Sequence, residues 1–159
     1  MIYWLNGAYG AGKTTVSRHL VELLRNGHVF DPELIGNGIR DNYPESLFFD
    51  TFEQYPLWLE LNYLLLKVLY SRYDGDIVVP MTLLKRESYD RIIKRLKDDG
   101  VEVRYIYLDA DEKRSSIVLS VSDGKNLTVG VFSIFPYAWL HSGRIVLLSI
   151  LTLSERHPI

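Results

Sequence analysis

Short apolar runs and segments of helical periodicity alternate along the first 114 residues. Residues 2–6 form an apolar run that ends at a glycine-rich stretch, a pattern typical of a buried parallel strand. Residues 13–26 follow with apolar residues at helical spacing, so we predict a helix that stops at Asn26 and Gly27. The run from 28 to 32 predicts a second short strand closed by Pro32.

The same alternation continues towards residue 112. A long helix is predicted to begin near Pro56, since proline suits a first helical turn, and apolar residues recur at helical spacing as far as Leu69. Residues 76–83 predict a third strand, residues 85–99 an amphipathic basic helix that ends at Gly100, and residues 101–108 a fourth strand. Strands and helices in this order predict an α/β fold with a mostly parallel sheet, in one domain over residues 1–159.

The tail, residues 115–159, has a different pattern. It shows no clean helical or strand period and contains only five charged residues: Asp123, Lys125, Arg144, Glu155 and Arg156. One explanation is a buried C-terminal strand region. A second is a membrane segment, which needs about 20 apolar residues, although Pro136, Gly143 and Arg144 interrupt this stretch. A third explanation, a shifted reading frame, depends on a family resemblance described below.

A phosphate-binding pattern lies between the first predicted strand and the first predicted helix. It has the Walker A form Gly-x-x-x-x-Gly-Lys-Thr and consists of Gly7, Ala8, Tyr9, Gly10, Ala11, Gly12, Lys13 and Thr14. The glycines allow successive backbone amides to face phosphate oxygens, and the start of the helix adds its own free amides. Lys13 would reach the β- and γ-phosphates, and the Thr14 hydroxyl would ligate Mg²⁺. The alternative is a glycine-rich turn that carries a surface lysine.

Other candidate residues are less clear. The predicted third strand ends in Val79, Pro80, Met81 and Thr82 and offers no aspartate at this end, so a Walker B carboxylate is not apparent. Asp31 is the better candidate for positioning Mg²⁺ or activating an acceptor hydroxyl, because ligands gather at the carboxyl ends of parallel strands; a helix N-cap or turn explains it equally well. Arg40 could hold an anionic substrate group or be an ordinary surface arginine. Tyr55 and Trp58 fit either an acceptor site or helical core packing.

Composition limits the function further. The net charge of −2 and the pI near 6.1 argue against a protein that binds nucleic acid through bulk charge. Absence of cysteine excludes disulfides and thiolate metal sites, and the four histidines show no metal-ligand spacing. With no basic leader before the first apolar run, we expect a cytoplasmic protein without a membrane segment or a defined protein partner.

Four stretches together resemble the small P-loop kinases of the tunicamycin-resistance type, relatives of the shikimate and nucleotide kinases. They are IYWLNGAYGAGKTT, VFDPELIGNGIR, YPLWLELNYLLLK and DIVVPMTLL, and they cover about residues 1–112. The resemblance implies a five-stranded parallel sheet, binding of ATP and Mg²⁺ at Gly7–Thr15, and a substrate-side role for Asp31 and Arg40. It also implies phosphotransfer to, or protective sequestration of, a nucleoside-like compound. The alternative from another class is a nucleotide-dependent switch or binding module without phosphotransfer.

The resemblance ends where such kinases have an arginine-bearing lid helix. Here the chain instead reads Ser-Ser-Ile-Val-Leu-Ser over residues 115–120. Read one base out of frame with favourable codons, the tail allows an arginine-bearing helix, an Asp-Ser-Trp segment and a final amphipathic helix in that order. We therefore hypothesise a single-nucleotide frameshift near residues 111–114, so that residues 113–159 form an aberrant tail. Such a chain would keep the phosphate loop and lack the lid, and it would bind nucleotide weakly without turnover.

Overall fold

The computed structural model describes residues 1–111, 116–122 and 127–133. Strands and helices alternate along the first part of the chain, as the sequence predicts. Their bounds are β1 Ile2–Gly7, α1 Lys13–Leu23, β2 His28–Val29, α2 Pro32–Asn42, α3 Pro56–Arg72, β3 Ile77–Pro80, α4 Arg86–Tyr89, α5 Arg95–Asp98, β4 Val103–Asp111, β5 Ser116–Ser122 and β6 Leu127–Ser133. Two short 3₁₀ helices, Glu45–Leu47 and Phe52–Gln54, lie between α2 and α3.

All six described strands form one sheet in the order β2-β3-β1-β4-β5-β6. The strands β2, β3, β1 and β4 are parallel, which confirms the α/β class. β1 lies inside this parallel part and pairs with β3 over Ile2–Leu5 and with β4 over Ile2–Gly7. The carboxyl ends of the parallel strands therefore meet at one edge of the sheet, where ligands of such folds gather.

The strands β5 and β6 differ from the sequence expectations. Both are antiparallel to their neighbours, whereas the resemblance implied five parallel strands. Too few residues separate Asp111 from Ser116 for a parallel crossover, which needs about a dozen residues. These strands also fall in the part of the tail where no strand period was recognised, and residues 116–122 and 127–133 form strands; the burial expected of this region lies outside the described residues. Within the described ranges, no helix is both long and apolar enough to cross a bilayer.

Helices cover both faces of the parallel strands. On one face, Ile2 and Trp4 of β1 join a core that includes residues of α3 and of the 86–98 helical segment. On the other face, Tyr3 and Leu5 pack with residues of α1. The alternation of β1 side chains between two buried clusters explains why the sequence of this strand is apolar at almost every position.

The helix α2 was missed from the sequence. It begins at Pro32 with Asp31 as its N-cap, and both are standard start signals. Gly36 and Gly38 obscured it, because glycine lowers helix propensity by about 1 kcal/mol relative to alanine. Its buried positions include Gly36 and Ile39, so packing rather than intrinsic propensity stabilises the helix.

Several predicted boundaries were wrong. The first helix ends at Leu23 instead of residue 26, because Leu24 is extended and Asn26 turns the chain with a φ of 47°. β2 and β3 are shorter than predicted, and β4 runs over 103–111 instead of 101–108. The helix predicted at 85–99 covers 86–98, where a π-helical turn over Asp90–Lys94 joins α4 to α5. Such turns insert an extra residue, which periodicity alone does not reveal.

Candidate functional site

The glycine-rich loop between β1 and α1 has the backbone conformation that phosphate binding needs. Gly10 and Gly12 have φ values of 79° and 84°, in the left-handed region that favours glycine. Gly7 has a φ of 151°, and a Cβ at this position would lie 2.5 Å from the Leu108 carbonyl oxygen. Gly12 is the N-cap of α1 and supplies no side-chain cap, so the first amides of this helix remain open to an anion.

Lys13 lies folded back over the loop. Its Nζ donates to the carbonyl oxygens of Gly7 at 2.9 Å and Ala8 at 2.8 Å. Partial burial lowers the pKa of Lys13 from its ordinary value, and the nearby carboxylate of Glu33 opposes this effect. The ammonium group is thus held beside the open amides of the loop, where both would meet the same phosphate group.

A cavity of about 560 Å³ opens over this loop. Its lining includes Tyr9, Gly10, Gly12, Lys13 and Thr14 from the predicted motif, together with Asp31. Ala8 and Thr15 are exposed, whereas Ala11 is buried in the core beside α1 and supports the loop from below. The structure therefore brings Lys13, Thr14 and Asp31 together around one space.

Asp31 both caps α2 and lines the cavity over the phosphate loop. Its Oδ1 accepts a hydrogen bond of 2.9 Å from the Glu33 amide, which makes it the N-cap of α2. The same residue lines the cavity over the phosphate loop. The Thr14 hydroxyl and the Asp31 carboxylate are oxygen donors of the kind Mg²⁺ prefers, and Mg²⁺ commonly takes only one or two protein ligands beside phosphates and water. These residues fit a Mg²⁺–nucleotide, although the described residues contain no group of three or more metal-ligating side chains.

Arg40 lies in a second cavity, of about 600 Å³. Its Nη2 donates to the Phe49 carbonyl at 2.9 Å, and its guanidinium lies 5.1 Å from the ring centroid of Phe52 and 5.8 Å from that of Phe48. Arg40 Nε is buried without a hydrogen-bond partner among the described residues. Arg40 is thus no ordinary surface arginine, because it holds the 48–52 segment against α2.

The two cavities adjoin. Tyr9 and Glu33 line both of them, so the phosphate loop and the N-terminal part of α2 separate the space near Lys13 from the space near Arg40. Tyr9 is fully exposed, although it is large and aromatic. The arrangement gives one site two compartments, which meet at the phosphate loop.

Three polar residues that the sequence did not single out connect the segment after β3 to the end of β1 and to the second 3₁₀ helix. The buried Asn6 side chain accepts from the amides of Gly7 and Leu83, each at 2.9 Å, and donates to the Leu83 carbonyl and to the Tyr105 hydroxyl. The Thr82 hydroxyl donates to the Gly7 carbonyl at 2.8 Å. Glu53, which is 8% exposed, accepts from the Leu84 amide at 2.9 Å. Only the position of Asn6 before the loop offered a sequence signal, since the other contacts join distant parts of the chain.

Tyr55 and Trp58 are core residues rather than cavity walls. They are 1% and 0% exposed, and neither lines the two cavities. Trp58 Nε1 donates to the Pro32 carbonyl, and the Tyr55 hydroxyl accepts from the Phe49 amide, both at 2.9 Å. Core packing is therefore the correct interpretation, and both residues fix the segments that border the second cavity.

A parallel α/β sheet whose glycine-rich loop joins a central strand to an open helix N-terminus defines the class of P-loop kinase-like proteins. Residues 2–116 match the family described as AAA domain, and the chain belongs to this family. Its structure is similar to that of the tunicamycin resistance protein of Deinococcus radiodurans, with 30% identity and a TM-score of 0.59, over 67% of this chain and 60% of that one. The match thus spans less than two thirds of that protein.

Similarity also extends to an APS kinase of Mycobacterium tuberculosis, solved as a cysteine-to-alanine mutant. The TM-score is 0.60, over 97% of this chain and 96% of that one. At 16% identity, this likeness concerns the fold alone. No curated protein matches the chain significantly.

Proposed function

We propose that this chain binds ATP with Mg²⁺ and acts in the cytoplasm on a nucleoside-like small molecule, by phosphotransfer or by sequestration. The observation that carries the proposal is the pair of adjoining cavities, one over the phosphate loop and one beside Arg40. A donor nucleotide and an acceptor need two such compartments that meet at the transferred group. The likeness to the D. radiodurans tunicamycin resistance protein supports a protective role against tunicamycin or a similar compound.

On the nucleotide side, the roles follow from the loop. The backbone of Gly7–Thr15 would hold the phosphates, Lys13 would turn from the loop carbonyls towards phosphate oxygens, and Thr14 would hold Mg²⁺. When bound, Mg²⁺ would neutralise charge on the phosphate groups. The exchange of Lys13 partners has a low free-energy cost, because the Ala8 carbonyl is exposed and the Gly7 carbonyl keeps its hydrogen bond from Thr82.

On the acceptor side, Asp31 is the candidate proton acceptor for an acceptor hydroxyl. It lines the nucleotide cavity and already has an ordered position as the N-cap of α2. A carboxylate in this position removes the proton as the acceptor oxygen bonds to phosphorus, and the bond from phosphorus to the leaving nucleotide oxygen breaks. Arg40 would contact the acceptor from the second cavity.

Product analysis tests the proposal. Acceptor-dependent formation of ADP from ATP, measured with a panel of nucleosides, supports phosphotransfer. Tight nucleoside binding without ADP formation supports sequestration. Nucleotide affinity with neither acceptor binding nor turnover would favour the nucleotide-dependent switch, for which the absence of an acidic residue in β3 is the supporting observation.

We propose in addition that the residues after about position 112 are read from a shifted frame. The family match ends at residue 116, and β5 is antiparallel where the resemblance implies a parallel fifth strand. Sequencing the gene across about codons 105–125 and reading all three frames to their stops tests this. An alternative open frame that encodes an arginine-bearing lid supports the frameshift. If the given frame is the only open frame, the frameshift is rejected. A purified monomer with full phosphotransfer activity would also contradict it.

A further inference from the structure

The second cavity has an excess of negative charge. Three carboxylates line it, from Glu33, Asp50 and Glu53, against the single cation of Arg40. No ion pair joins Arg40 to any of them among the described side chains. Glu53 is the most enclosed of the three, and one of its oxygens already accepts the Leu84 amide. Because charges interact more strongly where water is excluded, Glu53 dominates the local field.

The Arg40 guanidinium already has contacts within the protein. A guanidinium binds phosphate or carboxylate best through two parallel N–H bonds. Here Nη2 is bonded to the Phe49 carbonyl, and the rings of Phe48 and Phe52 lie beside the group. Its Nε is enclosed by the protein and has no partner among the described residues, so only the terminal nitrogens can reach a ligand in the cavity. An N–H of these nitrogens can donate to a neutral acceptor atom such as a carbonyl oxygen.

The remaining walls of the cavity are largely apolar. Phe52, Met81 and Leu84 line it with Tyr9, and Leu84 is 78% exposed. Large apolar side chains exposed around a concave surface commonly mark a ligand site. A flat ring of a bound ligand would cover these apolar side chains, and the Tyr9 ring is placed to stack on it.

Resting on the proposed function, we infer that the second cavity selects an uncharged, ring-bearing hydroxyl compound and that Glu53 is the specificity-determining residue. The Glu53 carboxylate accepts a hydrogen bond from an OH or NH group of the acceptor, and it repels an acceptor that carries its own phosphate. The apolar walls hold the ring, and a terminal N–H of the Arg40 guanidinium donates to a carbonyl oxygen. The acceptor class is therefore the nucleoside rather than the nucleoside monophosphate.

Calorimetric titration of the full chain with four nucleosides and their 5′-monophosphates tests the inference. The wild type should prefer its best nucleoside over the matching monophosphate by roughly tenfold or more, since the added phosphate meets the net negative charge of a partly enclosed cavity. Glu53→Gln keeps a side-chain oxygen for the Leu84 amide and removes the charge. It should reduce this preference by roughly tenfold and leave ATP affinity and melting temperature unchanged.

Asp50→Asn is the matched control. It removes the same charge from the same cavity, but Asp50 is exposed and water screens it, so the preference should change by less than about threefold. A wild-type preference for monophosphates overturns the inference, and so does an equal effect of the two substitutions. If ATP binds and none of the eight compounds does, the proposed acceptor class fails and the inference fails with it.

Discussion

Two glycines in α2 have opposite surroundings, and alanine substitution should therefore affect them in opposite directions. A Cβ on Gly36 would lie 2.3 Å from Cδ1 and 2.5 Å from Cε1 of the Phe52 ring. A Cβ on Gly38 would meet no atom within 4 Å. Both positions belong to the same helix, so the two substitutions share the same gain in helix propensity and differ only in packing.

The magnitudes follow from this comparison. Alanine is more favourable than glycine in a helix interior by about 1 kcal/mol. At Gly36 this gain is opposed by an overpacking cost of about 1–3 kcal/mol. The Phe52 ring cannot retreat cheaply, because it is stacked near Trp58, with 6.3 Å between centroids, and the Arg40 guanidinium lies 5.1 Å from it. Gly38→Ala should raise the free energy of unfolding by about 0.5–1 kcal/mol, and Gly36→Ala should lower it by up to about 2 kcal/mol.

Urea unfolding followed by circular dichroism measures both variants against the wild type. The difference between them should be about 1–3 kcal/mol, and each kcal/mol corresponds to about 2–4 °C in melting temperature for a domain of this size. Since Phe52 lines the second cavity, Gly36→Ala should also weaken nucleoside binding and spare ATP binding. Equal stabilisation by the two substitutions would refute the reasoning, because it would mean that Phe52 moves without cost.

Three further outcomes are expected. Lys13→Ala should lower ATP affinity by roughly two orders of magnitude in calorimetry, since charge-assisted contacts to phosphate are lost. Lys97 lines neither cavity, so Lys97→Ala should leave ATP affinity unchanged. Unaltered ATP affinity in Lys13→Ala would contradict the phosphate-loop assignment. Asp31→Asn keeps an oxygen for the α2 cap, so ATP binding and stability should persist while any ADP formation falls; unchanged turnover would remove Asp31 from the mechanism. Burial raises the pKa of Tyr3 and of Tyr105 from 10.0 to about 12, so the folded state retains protons that the unfolded state loses. The contribution of these two tyrosines to the free energy of unfolding should be fully present below pH 10 and should be lost between pH 10 and 12. Denaturant unfolding at each pH would show this loss, which should be smaller in Tyr105→Phe.

Local signals in the sequence were sufficient for the phosphate loop and its flanking elements. An apolar strand, glycines at fixed spacing and a lysine at a helix start are all contiguous, so a single stretch of chain specifies them. The same holds for α3, where Pro56 begins a helix with strong apolar periodicity. The α/β class follows from the order of such elements.

The second cavity could not be predicted in the same way. Its residues come from α2, from a 3₁₀ helix and from the segment after β3, which only the fold brings together. Glu53 gives no sequence signal, since its partner Leu84 is 31 residues away. Asp31 remained ambiguous because one carboxylate serves as both cap and cavity wall, and a cap signal alone does not reveal the second role.

The contacts of Gly7 explain how the two compartments stay aligned. Its carbonyl accepts from Lys13 Nζ at 2.9 Å and from the Thr82 hydroxyl at 2.8 Å. When Lys13 turns to a phosphate, Thr82 still satisfies this carbonyl, so the loop need not rearrange. Thr82 also lines the second cavity, and the Asn6 side chain holds the next residue along, Leu83, at both its amide and its carbonyl. The pairing of β1 with β3 therefore fixes the wall of the second cavity relative to the phosphate loop, which is the alignment that the proposed transfer between two bound molecules requires.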